Sequence, residues 1–120
     1  MKSSTDVIII EDNELLRDSL KEAINKSSSI RCENTFNSGE AALDFIVKEE
    51  LVPDIILLDI GLPGLSGIEL IPELKKLSPT SKVIIITIHD EDENIFKAIC
   101  SGASGYLLKD LSSDKIIESI

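Results

Sequence analysis

The stretch "PDIILLDIGLPGLSG", from Pro53 to Gly67, runs a block of aliphatics into a single aspartate, then places three glycines and a proline in the eight residues after it. Apolar residues at consecutive positions, rather than at alternate ones, mark a strand covered on both faces, as in a parallel sheet sandwiched by helices. The Gly- and Pro-rich continuation is a loop that opens the next helix. Asp59 thus stands at the carboxyl end of an interior strand, where a chain that merely needed to stop could use many polar residues.

The same signature recurs along the chain. Short β-branched runs at "VIII" (7–10), "IRCENTF" (30–36), "DIILLD" (54–59), "KVIIIT" (82–87) and "GYLL" (105–108) read as strands. Between them the apolar spacing becomes helical: Leu16, Leu20, Ala23 and Ile24; Ala42, Leu43 and Ile46; Ile71 and Leu74; Ile95 and Ile99; Ile116, Ile117 and Ile120. Ser38 precedes the second helix, "SGIE" (66–69) reads as a capping box for the third, Gly102 as a C-cap for the fourth, and "SSD" (112–114) as the start of the fifth. Pro72 dissents, because inside the third helix it removes a backbone hydrogen bond unless that helix bends or begins late.

Five strands alternating with five helices predict one α/β domain, a doubly wound, flavodoxin-like (βα)5 chain with a five-stranded parallel sheet in the order 2-1-3-4-5. The second run alternates and belongs at an edge. In such sheets ligands bind beyond the carboxyl ends of the strands, in the crevice between strands 1 and 3.

A chain of 120 residues with 42% hydrophobic residues suits a single core. A net charge of −10 disfavours direct contact with DNA or anionic lipid. No apolar run approaches the roughly twenty residues of a membrane span, and "MKSSTD" leads into no signal-peptide core. Cys32 and Cys100 lack metal-ligand or redox spacing, so both read as small core or near-core residues of a protein in the reducing cytoplasm.

Strand 1 is followed by Glu11 and Asp12, and strand 3 ends in Asp59, so three carboxylates are expected in the crevice. Their repulsion calls for a cation, and an oxygen-only set favours Mg²⁺ over zinc. Thr87 ends strand 4 and Lys109 follows strand 5. Each has a plain alternative: an acidic pair that caps a helix, a turn aspartate, a strand-end threonine, a solvated lysine. All four signals fall at strand carboxyl ends, and together they describe a site for a phosphoryl group.

Through "IIIEDNELLRDSL", "PDIILLDIGLPGLSGIEL" and "VIIITIHDEDENIFKAICSGASGYLLKD" the chain resembles the receiver domain of two-component response regulators, from about Val7 to Ile120. "GASGYLLKD" resembles the receivers that precede a LuxR-type helix-turn-helix domain. The resemblance implies that Asp59 takes a phosphoryl group from a sensor histidine kinase or phosphotransfer protein. It also implies that Glu11, Asp12, Asp59 and the carbonyl of Gly61 hold Mg²⁺, that Lys109 pairs with the phosphoryl group, and that Thr87 and Tyr106 form the switch. Catalysis would extend only to the domain's own phosphorylation and dephosphorylation. Because the apolar spacing of the fifth helix is still running at Ile120, residues 1–120 are expected to be a receiver excised from a longer regulator. DNA would be bound only through an output domain, homodimers could form through helix 4 to helix 5 or through helix 1 with a completed helix 5, and no membrane is involved.

Two other readings compete. A Mg²⁺-dependent aspartyl-nucleophile phosphatase of the haloacid dehalogenase type needs a second aspartate two residues on, where Gly61 stands. A phosphorylation-independent receiver-like binding module would usually have lost an acidic residue or the lysine, and all are present.

Two departures from the family pattern stand out. Asp110, where proline is common after the lysine, leaves a cis bond at Lys109–Asp110 in doubt. Ile88 is bulkier than the small residue common after the switch threonine, and His89 near the rim reads as solvated. Ile88 is expected to narrow access of water to the acyl phosphate. Ile88→Ala should therefore shorten the phosphoryl lifetime measured by intact mass, and an unchanged or longer lifetime would count against this.

Overall fold

The structure, a computed structural model, describes residues 5–27, 29–61, 67–87 and 92–108. Its elements are β1 (Thr5–Ile10), α1 (Glu14–Lys26), β2 (Ile30–Phe36), α2 (Gly39–Glu49), β3 (Ile55–Asp59), α3 (Gly67–Leu77), β4 (Lys82–Thr87), α4 (Asp92–Cys100) and β5 (Gly105–Leu108). The five strands form one sheet in the order β2-β1-β3-β4-β5, and every pairing is parallel. The expected fifth helix, the capping residue Ser66 and the Lys109–Asp110 bond lie outside the described residues.

Burial explains why the interior strands read as unbroken aliphatic runs. All five residues of β3 are buried, and so are the last four of β1. Alternate residues feed two separate cores. Ile8, Ile10, Ile56, Leu58, Val83 and Ile85 pack with Ala42, Ile46, Leu70, Ile71 and Leu74 of α2 and α3. Val7, Ile9, Leu57 and Ile86 pack on the other face with Leu20 and Ile24 of α1. Fully burying one such aliphatic contributes about 1.5–3 kcal/mol, so the ladder is held from both sides.

Local chemistry sets the helix ends. Asn13 and Ser38 cap α1 and α2 by accepting from the N–H groups of Leu16 and Ala41. Gly102, at φ 120°, ends α4 in a Schellman turn: its N–H donates to Ile99 and that of Ala103 to Ala98. Pro72 lies inside α3, which starts at Gly67 and so does not begin late. The bond it forgoes would have gone to the carbonyl of Ile68.

At the sheet edge, β2 carries a register shift opposite Asp6 and Ile8, and there the Asn25 carboxamide pairs with the backbone of Cys32, accepting its N–H at 2.8 Å and donating to its carbonyl at 2.9 Å. An α1 side chain thereby supplies hydrogen bonds at the irregularity.

Two expectations need correction on α4. Among its described side chains Ala98 is the buried one, whereas Ile99 is 50% exposed and Cys100 is exposed. Periodicity identified a stripe but not which side of it the sheet would cover, and the smaller Ala98 faces inward. Cys32 is in the core as expected, and burial pushes its thiol up to about 11, although Lys21 opposes the shift.

A thiol reagent at mildly alkaline pH should therefore modify Cys100 in the native protein and Cys32 only on unfolding, as peptide mapping would report. Since the Cys32 thiolate is disfavoured only in the folded chain, its contribution to stability should be constant below pH 9 and fall as pH rises from there to about 11. Cys32→Ala should remove that slope from urea midpoints.

Candidate functional site at the carboxyl edge of the sheet

The site is assembled by strand register. Ile10 of β1 pairs with Leu58 of β3, so the next residue on each strand, Glu11 and Asp59, arrive side by side. Asp59 pairs in turn with Ile86 of β4, which brings Thr87 to the same edge. Side-chain oxygens of Glu11, Asp12 and Asp59 lie within 4.8 Å of one another.

Burial differs sharply within this group. Glu11 is fully buried, Asp59 is 4% exposed, and Asp12 faces solvent. Two buried carboxylates this close, if both are ionised, repel by about 3 kcal/mol or more at an effective dielectric of about 20. Backbone donors offset part of this: the Asn13 N–H donates to Glu11 Oε2 at 3.2 Å, and the Gly61 N–H to Asp59 Oδ1 at 3.0 Å. The donor set contains only oxygen and one partner open to water, so it fits a hard divalent cation and not a thiophilic one.

Close approach of α3 completes the floor. A Cβ on Gly67 would stand 2.5 Å from the carbonyl oxygen of Asp59 and 2.7 Å from Cα of Ile60. Only glycine lets the first turn of α3 lie against the end of β3, and the Gly67 N–H donates to the Ile60 carbonyl at 3.3 Å.

Thr87 is 7% exposed, and Tyr106 is 43% exposed. Tyr106 pairs with Ile85, two residues before Thr87, so both project from the α3–α4 face of the sheet. The structure thus brings together Glu11, Asp12, Asp59 and Gly61 and puts Thr87 at the same edge, while Lys109, Ile88 and His89 lie outside the described residues. Sequence reading missed Asn13 and Arg17, whose bonds hold the turn after β1. A polar residue at a helix start signals a cap, but nothing in its type announces a bond to Glu11.

A parallel sheet in this order with an acidic cluster at its switch point defines a flavodoxin-like α/β domain. The response regulator receiver domain profile matches residues 7–120, and the chain belongs to that family. It is 29% identical over 114 residues to the nitrate/nitrite response regulator protein NarL of Escherichia coli K12, covering 95% of this chain and 52% of the relative. It is 32% identical to the transcriptional regulatory protein DegU of Brevibacillus brevis, covering 95% and 48%. The chain therefore spans about half the length of these curated relatives.

Among solved structures, the signal receiver domain of NarL from Mycobacterium tuberculosis superposes with a TM-score of 0.88 at 29% identity, covering 98% of this chain and 94% of that one. A LuxR-family DNA-binding response regulator from Staphylococcus aureus gives 0.84 at 29% identity, covering 96% and 94%. The chain is a receiver domain of two-component response regulators, a signalling domain. Among the described residues no helix is long and apolar enough to cross a membrane.

Gly67→Ala should destabilise the domain by about 1–3 kcal/mol, the usual cost of forcing a methyl into filled space. Urea denaturation should show a lower midpoint at unchanged slope.

Proposed function

We propose that this domain takes a phosphoryl group onto Asp59 from a phosphohistidine of a sensor histidine kinase or phosphotransfer protein, and that the modification switches a transcriptional output. The supporting observation is the convergence of Glu11, Asp12 and Asp59 within 4.8 Å at the switch point of the sheet.

In the proposed step an Asp59 carboxylate oxygen attacks phosphorus in line, the P–N bond breaks, and its electron pair returns to the imidazole. Glu11, Asp12, Asp59 and the carbonyl of Gly61 are the residues that would hold Mg²⁺. The ion, when bound, supplies positive charge that offsets repulsion between the carboxylate and the phosphoryl oxygens and helps keep donor and acceptor aligned.

The chain's own residues do the rest. The Gly61 N–H restrains Asp59 Oδ1. Low exposure of Asp59 limits the water that competes for phosphorus. Lys109 pairs with a phosphoryl oxygen as a point charge, and the Thr87 hydroxyl donates to another. Reorienting Thr87 changes what lies beneath Tyr106 on the shared face, and the partial exposure of that ring gives it somewhere to move. A two-state pair of this kind is what phosphorylation can bias.

Control of transcription is proposed from the LuxR-type relatives, in whose chains the matched part is about half. DNA contact would belong to such an output domain, consistent with a net charge of −10 here. We place the protein in the cytoplasm on the same family grounds.

Incubation with Mg²⁺ and acetyl phosphate should add one phosphoryl group to the wild type by intact mass. Asp59→Asn or prior chelation should abolish the adduct, and an undiminished adduct on Asp59→Asn would sink the assignment. Asp12→Ala should weaken Mg²⁺ binding at least about tenfold, since even outer-shell losses cost about 10–100-fold.

A further inference from the structure

We propose that Arg17 is the positioning residue of the acidic site, holding the peptide between Glu11 and Asp12 so that both carboxylates are aimed at one cation; this rests on the metal-binding reading of the site. The Arg17 guanidinium donates from Nη1 to the backbone carbonyl of Glu11 at 3.0 Å. That carbonyl belongs to the planar unit running from Cα of Glu11 to Cα of Asp12, so fixing the oxygen fixes the plane.

The consequence differs for the two acids. Glu11 is buried, its N–H donates to the Phe36 carbonyl at 2.9 Å, and its Oε2 accepts from Asn13. Asp12 is exposed, so the backbone rather than packing decides where its carboxylate points. Arg17 thus acts on the less restrained partner through the shared peptide.

Arg17 is itself anchored. Its N–H donates to the carbonyl of Asn13 at 2.9 Å, and Asn13 Oδ1 accepts from Leu16, which makes the acidic turn and the first turn of α1 one hydrogen-bonded unit. Guanidinium chemistry suits the task, being always charged and rigid in its donor fork.

The test is Mg²⁺ titration calorimetry on wild type, Arg17→Ala, Arg17→Lys and Arg31→Ala, with urea midpoints measured without metal. Arg31 pairs with Asp6 at 3.1 Å, near the amino ends of β1 and β2, and serves as a matched loss of a surface arginine. Arg17→Ala should bind Mg²⁺ at least about tenfold more weakly. Arg17→Lys, able to donate once to the same carbonyl, should fall between it and wild type, and Arg31→Ala should match wild type.

Mg²⁺ affinity of Arg17→Ala within twofold of wild type would overturn the inference while leaving the acidic site intact. An equal loss in Arg31→Ala would also overturn it, since the effect would then follow stability and not position. Wild type that binds no Mg²⁺ would overturn the metal reading itself. Should Arg17→Ala not fold, Arg17→Lys against Arg17→Leu, which cannot donate, decides, and equal affinities would refute the role.

Discussion

Everything at the site depends on the register between β1 and β3. The two strands are parallel and adjacent although an intervening strand, β2, separates them in sequence. Their pairing of Ile10 with Leu58 delivers Glu11 and Asp59 to one edge. A slip by one residue would turn every side chain of β3 to the opposite face. Such a slip is costly here, because Ile56 and Leu58 feed one core and Leu57 the other. The aliphatic ladder is therefore the device that sets distances between carboxylates.

Concentrating negative charge at a buried edge is unfavourable on its own. The sheet tolerates it because backbone N–H groups of Asn13 and Gly61 point at the two buried carboxylates, and because Asp12 keeps contact with water. What remains is an all-oxygen cluster whose donor chemistry suits a hard cation. The same arrangement links the chemistry to the fold's outer parts. Glu11 is bonded to β2 through Phe36 and to α1 through Arg17, and Gly67 seats α3 on the backbone of Asp59.

Much of this is legible in the sequence. Strand runs at Ile30–Phe36, Lys82–Thr87 and Gly105–Leu108 carry the bounds their composition indicates, since β-branched clusters between turn residues have few other places to go. The placement of Glu11, Asp12, Asp59 and Thr87 at one edge is readable because all follow or end strands whose carboxyl ends share a crevice. Helix α4 is less legible. Its expected stripe is Ile95 and Ile99, and the choice of Ala98 over Ile99 for the interior depends on how near the helix lies to the sheet, which no local pattern encodes. Pro72 likewise reads as a helix breaker from local chemistry, yet packing of Leu70, Ile71 and Leu74 carries α3 through it.

By itself the sequence determined the alternation of strands and helices, the two-sided burial of the central strands and the identity of the acidic residues, because each is a matter of local composition and period. Only the tertiary structure decided which oxygens meet and what holds them. The bond from Arg17 to the Glu11 carbonyl, the contact that forbids a side chain at Gly67 and the exposure of Cys100 all arise between elements. Backbone carbonyls are the same at every residue, so sequence cannot say which of them an arginine or a helix turn will find; the packing of α1 and α3 against the sheet settles it.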